Sequence, residues 1–296
     1  MINRELFSLF LLMGSIQSTY AAVVTVSYTA TIGFDPSATV GVGGQNAETL
    51  INELFGPGIG STGKANLTGS FTYETNTLAL NSNTQGAGYV NAITAASATL
   101  NGSSVNADIS EIALNAETSD IGYNTNPSNG FCGSREGCLA IGEPFTSTGN
   151  LVQVINDSNF FILRDGNRTD FFNRDAVSLS LGATDSDNEF SPKLVTPSFG
   201  DVFVDELGLL FVSDANRSLI NSVEIPTTDT FVTSSEIETT ILSLTFSGKN
   251  IPDGFTLEGE LNDFTTVVPV PAAIWFMGTG LLGLIGKTRC KNKFTG

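Results

Sequence analysis

Asp185, Asp187 and Glu189 stand at alternate positions of one polar segment, three carboxylates that a flexible loop could turn onto a hard cation. Calcium draws its oxygen ligands from loops of this kind. The EF-hand spacing, with its central glycine and distal glutamate, is missing. A solvated acidic turn is therefore the reading the segment favours, with calcium the alternative. Asp165-Gly-Asn-Arg-Thr-Asp170 is a similar acidic segment between apolar stretches at residues 160–163 and 171–172. There too a turn is the stronger reading.

The thiols offer different chemistry. Cys132 and Cys138 bracket Gly-Ser-Arg-Glu-Gly, and in an oxidising compartment a local disulfide closing this loop is the natural reading. So small a loop gains only modest stability from chain entropy. Cys290 is left as a thiol.

Histidine is absent. That removes Ser-His-Asp and Cys-His nucleophiles and His-ligated zinc. Any catalysis must rest on carboxylates, lysine or tyrosine. Two carboxylates flanking a sugar bond can hydrolyse it, but with 30 acids in the chain some pair is always at hand. The only tryptophan, Trp275, lies in a C-terminal apolar run. A tryptophan platform for a pyranose is thus missing, and Tyr28, Tyr73, Tyr89 and Tyr123 are the residues left to replace it. Five Asn-x-Ser/Thr triplets, at Asn66, Asn101, Asn156, Asn167 and Asn216, are what an Asn- and Thr-rich chain gives by chance.

The elements that must position these groups read as strands. Val24, Val26, Tyr28, Ala30 and Ile32 alternate with Thr25, Ser27, Thr29 and Thr31, which predicts a half-buried strand. Phe71 and Tyr73, then Val177, Leu179 and Leu181, then Val202 and Val204 repeat the pattern. So do Leu242, Leu244 and Phe246, and Phe255, Leu257 and Leu261. Thr, Ser, Asn and Gly fill the gaps, as turns require.

One stretch departs from this alternation. In residues 46–55 the pairs Leu50/Ile51 and Leu54/Phe55 lie four apart, Asn46 can cap, and Gly56-Pro57 stops the run. That predicts one short helix. The fold expected is mostly β, an antiparallel β-sandwich of jelly-roll type with a single short helix. Residues 118–149, rich in Asn, Gly, Ser and Pro, read as a long surface loop or a seam between two halves.

Both ends are unlike the body. Arg4 begins a thin positive region weakened by Glu5, residues 6–16 are apolar, and Ser18-Thr-Tyr-Ala21 ends in small residues. This predicts a signal peptide over 1–21, cut after Ala21, since eleven residues are too few to span a bilayer. The ectodomain expected is 22–262. Residues 262–268 read as a short exposed linker, and 263–296 as linker, motif, helix and tail.

The C-terminal end begins with Val268, Pro269, Val270, Pro271 and Ala272. No charge falls between Val267 and Gly286, about twenty residues at 1.5 Å each, enough for one membrane helix. Lys287, Arg289, Lys291 and Lys293 follow and predict a cytoplasmic tail. Prolines at 269 and 271 hold the motif extended.

The formal charge is −17. Setting aside those four cations, Arg4 and Glu5 leaves eight cations against twenty-nine acids, a body of about 245 residues at −21. Such a balance excludes nucleic acid and anionic lipid as partners of the body.

Motif, helix and basic end in that order resemble the PEP-CTERM sorting signal of Gram-negative bacteria. Its usual motif is Val-Pro-Glu-Pro; Val268-Pro-Val-Pro-Ala272 resembles the VPxPA-type variant. The likeness covers about residues 267–293. It implies recognition by exosortase, a membrane-embedded cysteine peptidase, after passage through the Sec translocon and cleavage by signal peptidase. It also implies a surface or matrix protein of exopolysaccharide-producing bacteria, anchored in the inner membrane before processing. The expectation is a non-enzymatic structural or adhesive role in exopolysaccharide. The alternatives are a secreted carboxylate-dependent polysaccharide hydrolase and a calcium-stabilised carbohydrate-binding module.

Overall fold

The computed structural model describes residues 23–79, 81–82, 86–100, 103–107, 149–164, 167–182, 190–191, 193–215, 219–220, 222–226 and 236–267. The expected signal peptide, Cys132, Cys138, Cys290, Asp185, Asp187, Glu189 and Tyr123 lie outside them. So do the motif Val268–Ala272, the membrane helix and Lys287, Arg289, Lys291 and Lys293. Among the described residues no helix is long and apolar enough to cross a membrane.

The predicted alternation produces the predicted strand. β1 (Val23–Gly33) buries Val24, Val26, Tyr28, Ala30 and Ile32 and turns its threonines outward. β2 (Lys64–Glu74) runs antiparallel to it, with Val26 opposite Phe71 and Ala30 opposite Leu67. Next come β3 (Asn81–Ser82), β4 (Gly86–Val90), β5 (Ile93–Leu100) and β6 (Ser103–Ala107). The long hairpin β7 (Gly149–Arg164) and β8 (Asn167–Gly182) is joined where the acidic turn was expected, Arg164 facing Asn167. Then follow β9 (Phe190–Ser191), β10 (Leu194–Thr196), β11 (Gly200–Ser213), β12 (Ile237–Gly248) and β13 (Ile251–Val267).

These strands form a curled antiparallel sheet, ordered β3-β4-β7-β8-β11-β12-β13-β1-β2-β5-β6-β9, with β10 beside β11. The inward side chains make one continuous core, from Tyr73 and Phe71 to Phe199, Phe211 and Phe246. Across β8, β11 and β12 the other face is buried too: Ser178, Ser180, Leu210, Val212 and Ile241 are nearly inaccessible. The expected half-buried pattern therefore fails on these three strands.

Of the linker expected over residues 262–268, residues 262–267 are strand instead, and Val268 lies outside the described residues. Residues 262–267 end β13, where Thr265 faces Ser27 and Val267 faces Thr25. A run with two threonines and a valine suits a pleated strand, and β1 offers its edge. The sequence reading lost this because a bulge beside Thr29 and Ala30 breaks the alternation.

The helix is where its pattern put it. α1 (Ala47–Phe55) is capped by Asn46, whose Oδ1 accepts from Thr49 N at 3.0 Å. Leu50, Ile51, Leu54 and Phe55 are buried, and Gly56 ends the helix at φ 111°. Glu53 fastens α1 to the turn before β11 by accepting from Ser198 N at 3.1 Å and Ser198 Oγ at 2.5 Å.

Two devices hold the curl. At the β4–β5 corner Asn91 is left-handed (φ 60°), a conformation asparagine tolerates. Buried Asn150 pairs there as a strand residue would. Its Oδ1 accepts from Ile93 N (2.9 Å), its Nδ2 donates to Ile93 O (2.5 Å), and its carbonyl accepts from Asn91 N (2.9 Å). The second device is the segment 219–226, which straps β8 to β4 and β2. Asp175, fully buried on β8, accepts from Leu219 N (2.6 Å) and Ile220 N (3.0 Å). Tyr89 Oη donates to Val223 O at 2.8 Å and Tyr73 Oη to Pro226 O at 3.4 Å.

Replacing Asn150 by alanine leaves both Ile93 groups unpaired in the core. Such an orphaned pair costs about 2 kcal/mol. Urea titration should show that loss as a lower midpoint with an unchanged slope.

Candidate functional site

The exposed part of the outer face is built by strand alternation mainly from hydroxyls and amides, with Glu260 and Asp263 on β13. Reading across β13, β1, β2, β5 and β6, one row is Thr265, Ser27, Ser70, Ser97 and Asn106. The next is Asp263, Thr29, Thr68, Thr99 and Ser104. Neighbours in a row stand about 4.8 Å apart and rows roughly 7 Å apart, as sheet geometry sets.

Cross-strand hydrogen bonds fix the rotamers. Thr25 and Thr72 hydroxyls meet at 2.9 Å, Ser70 and Ser97 at 3.0 Å, and Thr99 and Ser104 at 3.1 Å. Thr31 donates to Asn66 Oδ1 at 3.1 Å and accepts from Asn262 Nδ2 at 2.8 Å.

Where this face meets α1 a groove of about 610 Å³ opens. Its floor is Asn66, Thr68 and Thr99; its wall is Phe55, Pro57 and Ile59; Lys64 stands on its rim. The wall exists because Gly56-Pro57 stops the helix and turns the chain down toward β2. Gly60 N, bonded to Asn52 Oδ1 at 2.8 Å, holds that turn against α1. Among the described residues no carboxylate lines the groove. It can bind by hydrogen bonds and apolar contact, but it has no acid–base pair.

Of the tyrosines left to replace a tryptophan platform, the three among the described residues do not. Tyr28, Tyr73 and Tyr89 are core residues, each under 7% exposed. Tyr28 covers Gly69 and donates to Ser97 O at 3.1 Å. Burial pushes its phenol far above the ordinary range. Burial, and then the charge of Glu224, also raises Tyr89. Alternation places Tyr28 and Tyr73 inward, and for those two the signal is already in the sequence.

Among the described residues no three acids or cysteines gather closely enough to hold a metal ion. Of the segment read as a turn, residues 167–170 instead begin β8, with Asp170 facing Phe161 in the ladder, and residues 165–166 lie outside the described residues. The groove residues themselves were missed. Asn66 was noted only within a chance triplet, and Pro57 only as a helix stop.

Asp205, at the β11 bulge, has its carboxyl pushed up by burial. A raised folded value changes nothing below the unfolded range, where both states are protonated. It costs stability as pH rises through the unfolded value and beyond the folded one. Asp205→Asn is therefore expected to raise the melting temperature at pH 7 and to give no gain below about pH 4.

Compared with family models, curated proteins and solved structures, the chain matches none.

Proposed function

We propose that this chain is an exported surface or extracellular-matrix protein with a structural or adhesive, non-enzymatic role among exopolysaccharides. The observation that carries this reading is the outer face: a broad field of oriented hydroxyls and amides, bordered by a groove that no carboxylate among the described residues lines. Such a surface suits holding a polyhydroxylated polymer through hydrogen bonds, with Glu260 and Asp263 of β13 standing among its hydroxyls. The curled sheet is taken to be a jelly-roll-like sandwich. Its support is the continuous core and the two-residue corner through which β4 passes into β5.

The two ends are the delivery apparatus. Under this reading the Sec translocon and signal peptidase act at residues 1–21. An exosortase-type peptidase acts at Val268, Pro269, Val270, Pro271 and Ala272. The helix after the motif and Lys287, Arg289, Lys291 and Lys293 anchor the chain in the inner membrane until then. Among the described residues the first strand begins at Val23 and the last ends at Val267.

Mass spectrometry of the protein isolated from its native host tests the reading. The expected mature form begins near Ala22 and ends between Val268 and Ala272. A chain still carrying residues 1–21 and running to Gly296 would overturn it. Thermal melting with and without a chelator tests the calcium-stabilised alternative, which an unmoved midpoint removes.

A further inference from the structure

We propose that the groove beside α1 is the seat of a neutral glycan chain. The proposal rests on the matrix reading above for the presence of a glycan, and on the groove itself for its chemistry. A pyranose has an apolar C–H face and a rim of hydroxyls. The groove offers Pro57 and Ile59 on one side and Asn66, Thr68 and Thr99 on the other. Its volume of about 610 Å³ lies within the usual range for ligand sites.

The polar floor is set before any ligand arrives. Asn66 Oδ1 is held by Thr31 at 3.1 Å and Thr99 by Ser104 at 3.1 Å. The Asn66 amide N–H groups and the rotating Thr68 hydroxyl are left to face the groove. Little side-chain freedom is then lost on binding.

Charge selects the glycan. The body at −21 repels a polyanion. The groove, by contrast, has no acid among the described residues, and Lys64 makes no ion pair with any of them. In that setting the Lys64 ammonium serves as a hydrogen-bond donor to sugar hydroxyls. The groove is also open at the floor. Asn66, Thr68 and Thr99 are members of the outer-face rows, so a polymer leaving the groove runs onto Thr29, Thr31 and Ser104.

Native gel electrophoresis of the full chain through embedded polymer tests this. The probes are hydroxyethyl cellulose and dextran, which are neutral, and carboxymethyl cellulose, which is acidic. Retardation by a neutral polymer is expected. It should weaken at least tenfold in Asn66→Ala/Thr68→Glu, both exposed positions, with the melting temperature held. Single Asn66→Ala provides the readout if the double variant melts early.

Retardation undiminished in both variants overturns the groove and leaves the matrix reading standing. Retardation by carboxymethyl cellulose alone overturns the neutral ligand. No retardation by any polymer, in a protein whose termini show it to be exported and trimmed, overturns the groove as a glycan seat. Failure of the matrix reading is seen separately, in those termini.

Discussion

Gly259→Ala yields little or no folded protein. β13 lies between β12 and β1, with Gly259 opposite Leu242 on one side and Ile32 on the other. A Cβ there would fall on the Thr31 carbonyl and within 2.6 Å of Ile32 Cα. Both are backbone atoms of a strand fixed by its own two ladders, so nothing nearby can swing aside. Overpacking of this kind costs about 3 kcal/mol, a large part of a domain's stability. The control is one residue away in register. At Gly33 an added Cβ meets only Glu258 O, at 4.0 Å, and Gly33→Ala should stay within about 0.5 kcal/mol of wild type. Urea midpoints of the two variants decide it; equal midpoints would mean that the close approach is not real.

Asp175→Ala should be nearly as damaging, for a different reason. Its carboxylate accepts two backbone N–H groups, from Leu219 and Ile220, in a fully buried position. Removing it takes the carboxylate acceptor from both N–H groups and costs about 3 kcal/mol. The loss should be local before it is global. The strap also carries the acceptors of Tyr89 and Tyr73, so near-ultraviolet circular dichroism should fall early in the unfolding of this variant. Limited proteolysis should cut within residues 219–226. A variant that melts like wild type and resists cleavage there would show the strap to be held by its apolar residues, Leu219, Ile220 and Ile225.

The sequence announced the elements whose packing is local. The alternation of β1 and the Asn46-capped pattern of α1 each follow from one face meeting one core. β4 and β5 were passed over because Gly86-Ala-Gly and Ala95-Ala-Ser carry small residues whose inward members still fill the core. The twofold burial of β8, β11 and β12 depends on what covers the sheet, which no single segment encodes. The groove was unreadable for a related reason. Pro57 and Thr99 lie far apart in sequence and meet only because β5 pairs with β2, which follows the helix. Tyr28 and Tyr73 are the opposite case: their inward parity is written in the alternation of β1 and β2.

The last strand is in the middle of the sheet. β13 pairs with β12, its neighbour in sequence, and with β1, which a ribosome delivers some 230 residues sooner. Until Thr265 and Val267 arrive opposite Ser27 and Thr25, β1 has only β2 beside it and the ladder between β12 and β1 is unmade. Contacts of such long sequence separation form late and slowly. This body therefore cannot be assembled as it emerges. It is completed all at once, on whichever side of a membrane its final strand comes out, and a chain truncated before residue 258 has no partial version of the fold to fall back on.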